Sequence, residues 1–201
     1  MLICKMKRLS IHPLWTRLTH WLNALAVFVM LLSGWKIYNA SPLFDFKFPN
    51  GITLGGWLGG ALQWHFAAMW LLAFNGIIYL VTAITSGRLR RMMLPITWVA
   101  FRQDFIAALR GKLSHDDLAS YNTVQKFSYL FAIADLVVLV ASGLVLWKPV
   151  QFPWLRTLMG DYDVARYVHF FAMGGLAAFI VVHVALALMV PRTLLAMVRG
   201  R

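Results

Sequence analysis

The chain has 201 residues, of which 61% are hydrophobic and only 13% are charged, and its formal net charge is +12. So apolar a composition excludes an ordinary soluble domain and predicts an integral membrane protein. The single cysteine excludes an internal disulfide and any CxxC metal site.

Four apolar segments reach the roughly 20 residues that a helix needs to cross a bilayer. They lie at about 19–38, 62–84, 127–147 and 166–190. Backbone groups in hydrocarbon must be satisfied within their own segment, so helices are expected, and no strand pattern competes with them. The sequence therefore predicts an all-α fold, an integral membrane four-helix bundle that forms a single domain over residues 1–201.

Two segments outside the apolar cores also have a predicted form. The basic stretch MLICKMKRLS precedes the first span without a small-residue cleavage site, which favours a retained signal anchor. Between the second and third spans, ITWVAFRQDFIAALRGKL places Trp98, Phe101, Phe105 and Leu109 at helical spacing. We expect an interfacial helix there, lying on the cytoplasmic surface.

Lysine and arginine are distributed unevenly along the chain. Fourteen of the 19 fall in the N-terminus, the 85–126 loop and the C-terminal tail. By the positive-inside rule this predicts a multi-pass protein with both termini in the cytoplasm. The net charge is then mostly a topology signal with some attraction to anionic membrane lipid, and no nucleic-acid partner is expected.

A weak internal repeat relates the two halves of the chain. HFAAMW, which begins at His65, resembles HFFAMG, which begins at His169, and LLSGWK in the first span resembles VASGLV in the third. Helices one and two therefore correspond to helices three and four. His20 and His183 align with tyrosines in the opposite halves, whereas His65 and His169 align with each other. We therefore expect the site of His65 and His169 to be more symmetric than the site of His20 and His183.

Four of the six histidines lie in the predicted spans: His20, His65, His169 and His183. Any one of them alone suits an interhelical hydrogen bond or a helix end near water equally well. Because successive helices alternate in direction, His65 and His169 are expected at the outer level, and His20 and His183 at the inner level. His169 and His183 are fourteen residues apart on the fourth span, which is roughly 21 Å of helix and about four turns, so both lie on one face of that helix.

Two stacked pairs of imidazoles, His65 with His169 and His20 with His183, suit the axial ligation of two haems in a bundle core. The sequence lacks the CxxCH motif of covalent attachment, so the haems are expected to be non-covalent haem b. Two imidazoles leave no open position on the iron, which favours electron transfer over oxygen binding.

Several other residues in or near the spans have a candidate functional role and also an ordinary structural explanation. Gly34 and Gly143 would let a flat macrocycle approach, although they equally suit close helix packing. Arg17 and Arg166, each three residues before a proposed ligand, are candidates for the haem propionates. Asp135 is the only acid in a span, where a proton relay and a hydrogen-bonded neutral carboxyl are both open.

At these residues the chain resembles the bacterial dihaem cytochrome b561 superfamily, specifically the cytochrome b subunits of thiosulfate reductase, formate dehydrogenase and nickel-iron hydrogenase. The most specific parts are HPLWTRLTHW, the paired His169 and His183, and SYNTVQK. The resemblance implies an electron-transfer subunit of the bacterial inner membrane, not the catalytic subunit. Its expected partners are the quinone pool and a periplasmic molybdopterin-dependent or iron–sulfur oxidoreductase subunit.

The resemblance also implies a quinone, ubiquinone or menaquinone, beside the inner haem near a YNxxQK stretch. Here that stretch contributes Asn122 and Gln125, whose amides can donate to a quinone carbonyl. Asn122 equally suits the capping of helix three.

Two alternatives remain at the level of sequence. Relatives of similar size act as superoxide oxidases, which would use the same two haems without a partner subunit. A histidine-lined metal or proton transporter would hold no haem, but its weakness is that Asp135 is the only carboxyl in the spans.

Overall fold

The computed structural model describes residues 13–87, 97–109 and 123–200. Over these residues all regular structure is helical and there is no strand. The helices are α1 (Leu14–Ala40), α2 (Leu58–Thr85), α3 (Trp98–Leu109), α4 (Thr123–Trp147), α5 (Pro153–Leu158), α6 (Tyr162–Met189) and α7 (Pro191–Arg199). Of these, α1, α2, α4 and α6 are long and apolar enough to cross a membrane, which confirms the predicted all-α fold with four spans.

Each spanning helix begins four or five residues before the apolar segment that predicted it. Helical hydrogen bonding continues into the membrane–water interface, where polar residues are tolerated and apolar periodicity gives no signal. The 27 residues of α1 correspond to about 40 Å of helix, which exceeds the roughly 30 Å of the hydrocarbon layer. Residues such as Arg17 therefore belong to the helix while lying outside its apolar part.

The four long helices pack as two hairpins. Close backbone packing joins α1 to α2 and α4 to α6, whereas almost no Cα atom of one hairpin lies within 8 Å of the other. Small residues make the close approach within the hairpins possible, since Ala26, Ala61, Ala68 and Ala172 are all buried. The two hairpins match the two halves that the sequence repeat relates.

Side chains bridge the wider separation between the hairpins. The indole Nε1 of Trp35 in α1 lies 3.4 Å from the sulfur of Met173 in α6, and the Tyr38 and Phe170 rings lie 5.1 Å apart. On the other side, Phe66 of α2 contacts Trp147 of α4 with ring centres 5.4 Å apart. Helix α1 thus faces α6, and α2 faces α4, around a shared interior.

The loop between α1 and α2 is held firmly against the end of α1. The Asn39 amide donates to the carbonyl of Phe48 and accepts from its N–H, both at 2.8 Å. Phe48 also stacks on Trp35 with ring centres 4.8 Å apart. The loop is therefore fixed by paired hydrogen bonds and aromatic contacts.

The short helix α3 lies in the segment for which an interfacial helix is predicted. Trp98 and Val99 at its start are exposed, and its packing within the described residues is against α4. Its position on the cytoplasmic surface stays a prediction.

Candidate functional site

The outer histidines are each held by the first helix of their own hairpin. His65 of α2 places Nδ1 3.2 Å from the Ser33 hydroxyl and 3.2 Å from the carbonyl of Met30, both on α1. His169 of α6 places Nδ1 2.9 Å from the Ser142 hydroxyl on α4. Both rings are therefore fixed in orientation through the same nitrogen.

These contacts decide which nitrogen carries the proton. The Ser33 and Ser142 hydroxyls donate to carbonyls one turn earlier in their own helices, at 2.6 Å and 2.7 Å. Each hydroxyl oxygen therefore accepts from the imidazole, and the second partner of His65 is a carbonyl, which can only accept. The proton lies on Nδ1, and Nε2 keeps the lone pair that a metal requires.

The two outer histidines are equivalent in structure as well as in sequence. The Ser–Gly dipeptide of LLSGWK recurs in VASGLV, and each copy holds the histidine of the neighbouring helix. A Cβ built on Gly34 would lie 3.5 Å from Cε1 of His65, and one on Gly143 would lie 3.4 Å from Cε1 of His169. Each glycine thus leaves room for an imidazole of the neighbouring helix close to its backbone.

The inner pair lacks this duplicated support. His20 of α1 and His183 of α6 come from opposite hairpins, with ring centres 6.1 Å apart and planes at 56°. His183 stacks on Phe179 one turn earlier, at 5.6 Å and 17°. The structure therefore brings the two predicted inner residues together and orients one of them by an aromatic ring.

The donor set fits haem. Two imidazoles bound on opposite sides of one metal ion have ring centres about 6 Å apart, because each metal–nitrogen bond is about 2 Å long and each nitrogen lies about 1 Å from its ring centre. The separation of His20 and His183 agrees with this value. Within the part of the chain that the structure describes, no group of three or more metal-ligating side chains occurs.

The two arginines that are candidates for propionates bind helix ends in this structure. Arg17 donates from Nε to the carbonyl of Met197 at 3.2 Å and from Nη2 to that of Val198, at the end of α7. Arg166 donates from Nη2 to the carbonyl of Ser41 at 2.7 Å and to its hydroxyl at 3.1 Å, just after α1. A cation is stabilised at the C-terminal end of a helix, where the helix dipole is negative. Contact with a propionate stays a prediction for both.

The predicted quinone residues are only partly described. Gln125 lies exposed in the first turn of α4. Because successive spans alternate in direction, this end of α4 is on the same side as His20 and His183. Asn122 lies outside the described residues, as do His12, Arg88 and His115.

A family model for prokaryotic cytochrome b561 matches residues 11–200 of the chain. The chain belongs to the prokaryotic cytochrome b561 family. It is 61% identical over 95% of its length to a protein of Azospira oryzae that is provisionally named as a protein-methionine-sulfoxide reductase subunit, YedZ1, of which it covers 96%. It is also similar to a protein of Cupriavidus necator assigned as a Ni/Fe-hydrogenase B-type cytochrome subunit, at 25% identity over 86% of this chain and 75% of the relative.

A shorter stretch resembles a third relative. The formate dehydrogenase cytochrome b556(fdo) subunit of Escherichia coli is 37% identical over 42% of this chain and 39% of its own length. Membership of the family implies a b-type haem and a role as a membrane electron-transfer subunit of an oxidoreductase. Together with the four spanning helices it also indicates a multi-pass protein of the inner membrane.

Sequence reasoning missed the side chains that orient the histidines of this cytochrome. Ser33 and Ser142 were visible as the repeated Ser–Gly dipeptide, whose glycine alone was singled out. Asn75, buried in α2, was also missed, although an amide in a span is itself a signal. Its Nδ2 donates to the carbonyl of Thr19 at 2.7 Å and to Oδ1 of Asn23 at 2.6 Å, which fixes α1 beside His20.

Replacing Ser142 with alanine is expected to raise the midpoint potential of one haem and to weaken its binding by about 10-fold. The imidazole of His169 loses an acceptor for Nδ1–H, becomes a weaker donor through Nε2, and stabilises ferric iron less. A spectroelectrochemical titration measures the shift. Ser128→Ala is the matched control, because the Ser128 hydroxyl donates to the carbonyl of Val124 in its own helix and lies fourteen residues before Ser142. Equal potentials in Ser142→Ala and the unaltered cytochrome would contradict the role assigned to Ser142.

Replacing Gly143 with leucine is expected to displace the His169 ring and to lower the haem content. Its Cβ alone would already be in van der Waals contact with the ring, so the remaining atoms of a leucine have no room. Gly76→Leu is the control, because a Cβ at Gly76 meets no atom within 4 Å. The measurement is the haem-to-protein ratio of each purified variant, and a full complement in Gly143→Leu would be the contrary result.

Proposed function

We propose that this cytochrome is the dihaem membrane subunit of an oxidoreductase, and that it transfers electrons between the quinone pool and a catalytic partner on the outer face of the membrane. The observation that supports the proposal most is the proximity of His20 in α1 and His183 in α6, whose ring centres lie 6.1 Å apart across the two hairpins. When bound, haem supplies one-electron transfer between ferric and ferrous iron. The single domain over 1–201 and the cytoplasmic position of both termini belong to the same proposal.

In this proposal His65 and His169 hold the outer haem, and His20 and His183 hold the inner one. The Ser–Gly dipeptides set the tautomer and orientation of the outer imidazoles, so that Nε2 of each is available. At the inner level, Phe179 orients the His183 ring, and the amide of Asn75 ties α1 to α2 one turn from His20. Neutral, pre-oriented imidazoles bind iron without the cost of rotating or deprotonating the ligand.

We propose that the electrons enter from quinol at the inner level. Gln125 and Asn122 are the candidate hydrogen-bond donors to the quinone carbonyls, and ubiquinone and menaquinone both present such carbonyls. At the cytoplasmic side the two protons of quinol leave to water. The α3 helix, on the same side in this topology, would lie at the membrane surface.

The relative named as a protein-methionine-sulfoxide reductase subunit supports a choice of partner and direction. We propose that electrons flow outward, from quinol to a periplasmic reductase that acts on methionine sulfoxide and carries a molybdopterin or iron–sulfur centre. Quinol gives two electrons and two protons, and the sulfoxide takes up two of each to give the thioether and water. The overall reaction is therefore balanced, with the cytochrome as the electron carrier between its two halves.

The experiment is the purification of the tagged full-length cytochrome from its own membranes. We expect a reducible b-type spectrum with two haems per chain, and the co-purification of an exported catalytic subunit that reduces methionine sulfoxide when quinol is added. Absence of reducible haem bands would overturn the proposal. Reduction of quinone by superoxide with the chain alone, and no co-purifying subunit, would replace it by the superoxide oxidase alternative.

A further inference from the structure

Asp135 is a carboxyl group with no evident place in the electron-transfer site. It lies near the middle of α4, seven residues before Ser142, and is the only acidic residue within the apolar core of the four spans. Its Oδ2 is buried and has no hydrogen-bond partner, and it makes no ion pair with any residue in 13–87, 97–109 or 123–200. A structural hydrogen bond therefore does not account for its presence.

The site around this carboxyl is shaped to receive it. A Cβ built on Gly175 of α6 would lie 3.4 Å from Oδ1 of Asp135 and 3.6 Å from the ring of Phe131. By the repeat offsets, the first half has Ala26 where the second has Asp135, and Leu71 where the second has Gly175. The first half thus has a small and a large residue at these two positions, whereas the second half has an acid on α4 facing a glycine on α6. The absence of a side chain at Gly175 leaves room for the carboxyl of Asp135.

The carboxyl lies between the two histidine levels. Gly175 is six residues after His169 and eight before His183, which is about 9 Å and about 12 Å along α6. After Arg166, the titratable groups on α6 are these two histidines and Tyr167, which lies at the outer end, and no titratable side chain shares the depth of Asp135 on α1, α2 or α4. The charge of Asp135 is therefore not balanced by a neighbouring cation.

We propose that Asp135 is an intramembrane proton-binding site linked to the reduction of the haems. An unpaired carboxylate at this depth is unfavourable, so the resting form is the neutral acid. An electron that arrives at either level adds negative charge near the carboxyl and favours its protonation further. Over the pH range in which Asp135 is ionised in the oxidised protein, reduction of the protein by quinol is accompanied by the uptake of up to one proton per chain from water, because a single carboxylate binds a single proton.

This inference rests on the proposed haems, and its test separates the two. Redox-difference infrared spectra and spectroelectrochemical titrations at a series of pH values are recorded on the full-length holoprotein and on Asp135→Asn. We expect a carbonyl band of a protonated carboxylic acid that responds to reduction and is missing in the variant. The midpoint potentials should fall at high pH in the unaltered protein, and Asp135→Asn should lose that fall. Asp45→Asn, in the exposed outer loop, is the control and should behave as the unaltered protein.

Gly175→Ala provides a second variant that keeps the acid but crowds its oxygen, and it should shift the carbonyl band. Haem bands with no carboxylic acid band, or an identical pH dependence in Asp135→Asn, would overturn the inference and leave the proposed function intact. A protein without haem would overturn the proposed function, and the linkage with it.

Discussion

Replacing His65 with alanine should leave one b-type haem per chain where the unaltered cytochrome holds two. His65 and His169 are the proposed axial ligands of the outer haem, and a haem that keeps one of two ligands in a membrane interior is bound far more weakly. His183 lies fourteen residues beyond His169, about 21 Å along α6, and its proposed partner His20 lies on α1, so the inner haem should be retained. The haem-to-protein ratio and the low-temperature spectrum measure the result.

Two further variants make the outcome specific. His65→Met keeps an axial ligand of another kind, so both haems should be retained and the outer potential should rise. His115→Ala removes a histidine that is not a proposed ligand and should change neither haem. Loss of both haems or of neither in His65→Ala would refute the pairing, provided that the variant stays in the membrane.

The number and type of the main elements followed from composition because each element is a membrane span. A span must be helical and about 20 residues long, so the apolar segments at 19–38, 62–84, 127–147 and 166–190 predict helices without knowledge of their neighbours. The helix bounds were less accurate. The beginning of α1 at Leu14 lies in the interface, where hydrogen bonding continues but hydropathy falls.

The histidines could be placed at two levels because depth in a membrane is nearly one-dimensional. Residue number and alternating helix direction give the depth of His65 and His169, and in the structure each ring is held through Nδ1 by a serine of the neighbouring helix. Their orientation could not be obtained in this way. It depends on rotations of α1 against α2 that bring Ser33 to Nδ1 of His65, and a linear spacing contains no such rotation.

The roles of the cations were the least predictable. Arg17 and Arg166 lie three residues before proposed ligands, and this spacing indicated propionates. In the structure their donors reach the carbonyls of Val198 and Ser41, the first more than 180 residues away in sequence, at the C-terminal ends of α7 and α1. An arginine has five N–H donors, and sequence proximity to a ligand does not show which acceptors they meet.

The turn before α6 is held by local contacts that the sequence pattern does not show. Asp161 precedes α6, accepts from the N–H of Tyr162 at 2.6 Å, and pairs with Arg156 at 2.5 Å. The hydrogen bond from Arg156 holds the pKa of the Asp161 carboxyl below its usual range. Its backbone has φ 90°, a region that favours glycine, so local contacts keep this turn in a conformation that the sequence does not indicate.

Replacing His183 with alanine should stop the reduction of the cytochrome by quinol while leaving it reducible by dithionite. His183 is a proposed ligand of the inner haem, the one that receives electrons from quinol, and the outer pair does not include it. The loss of a ligand should cost more than the about 10–100-fold that loss of a supporting partner costs, so the rate of quinol-driven reduction should fall by at least that factor. Stopped-flow absorbance in the b-type alpha band measures the rate.

The matched control is Phe179→Leu, which removes the ring stacked on His183 but no proposed ligand. It should retain two haems and most of the quinol-driven rate, because a leucine still packs against the imidazole. If His183→Ala keeps the full rate, electrons from quinol do not enter at the inner level. If Phe179→Leu loses the rate as completely as His183→Ala while keeping both haems, the ring itself belongs to the quinone site, and the entry point lies beside Phe179 and not at Gln125 or Asn122.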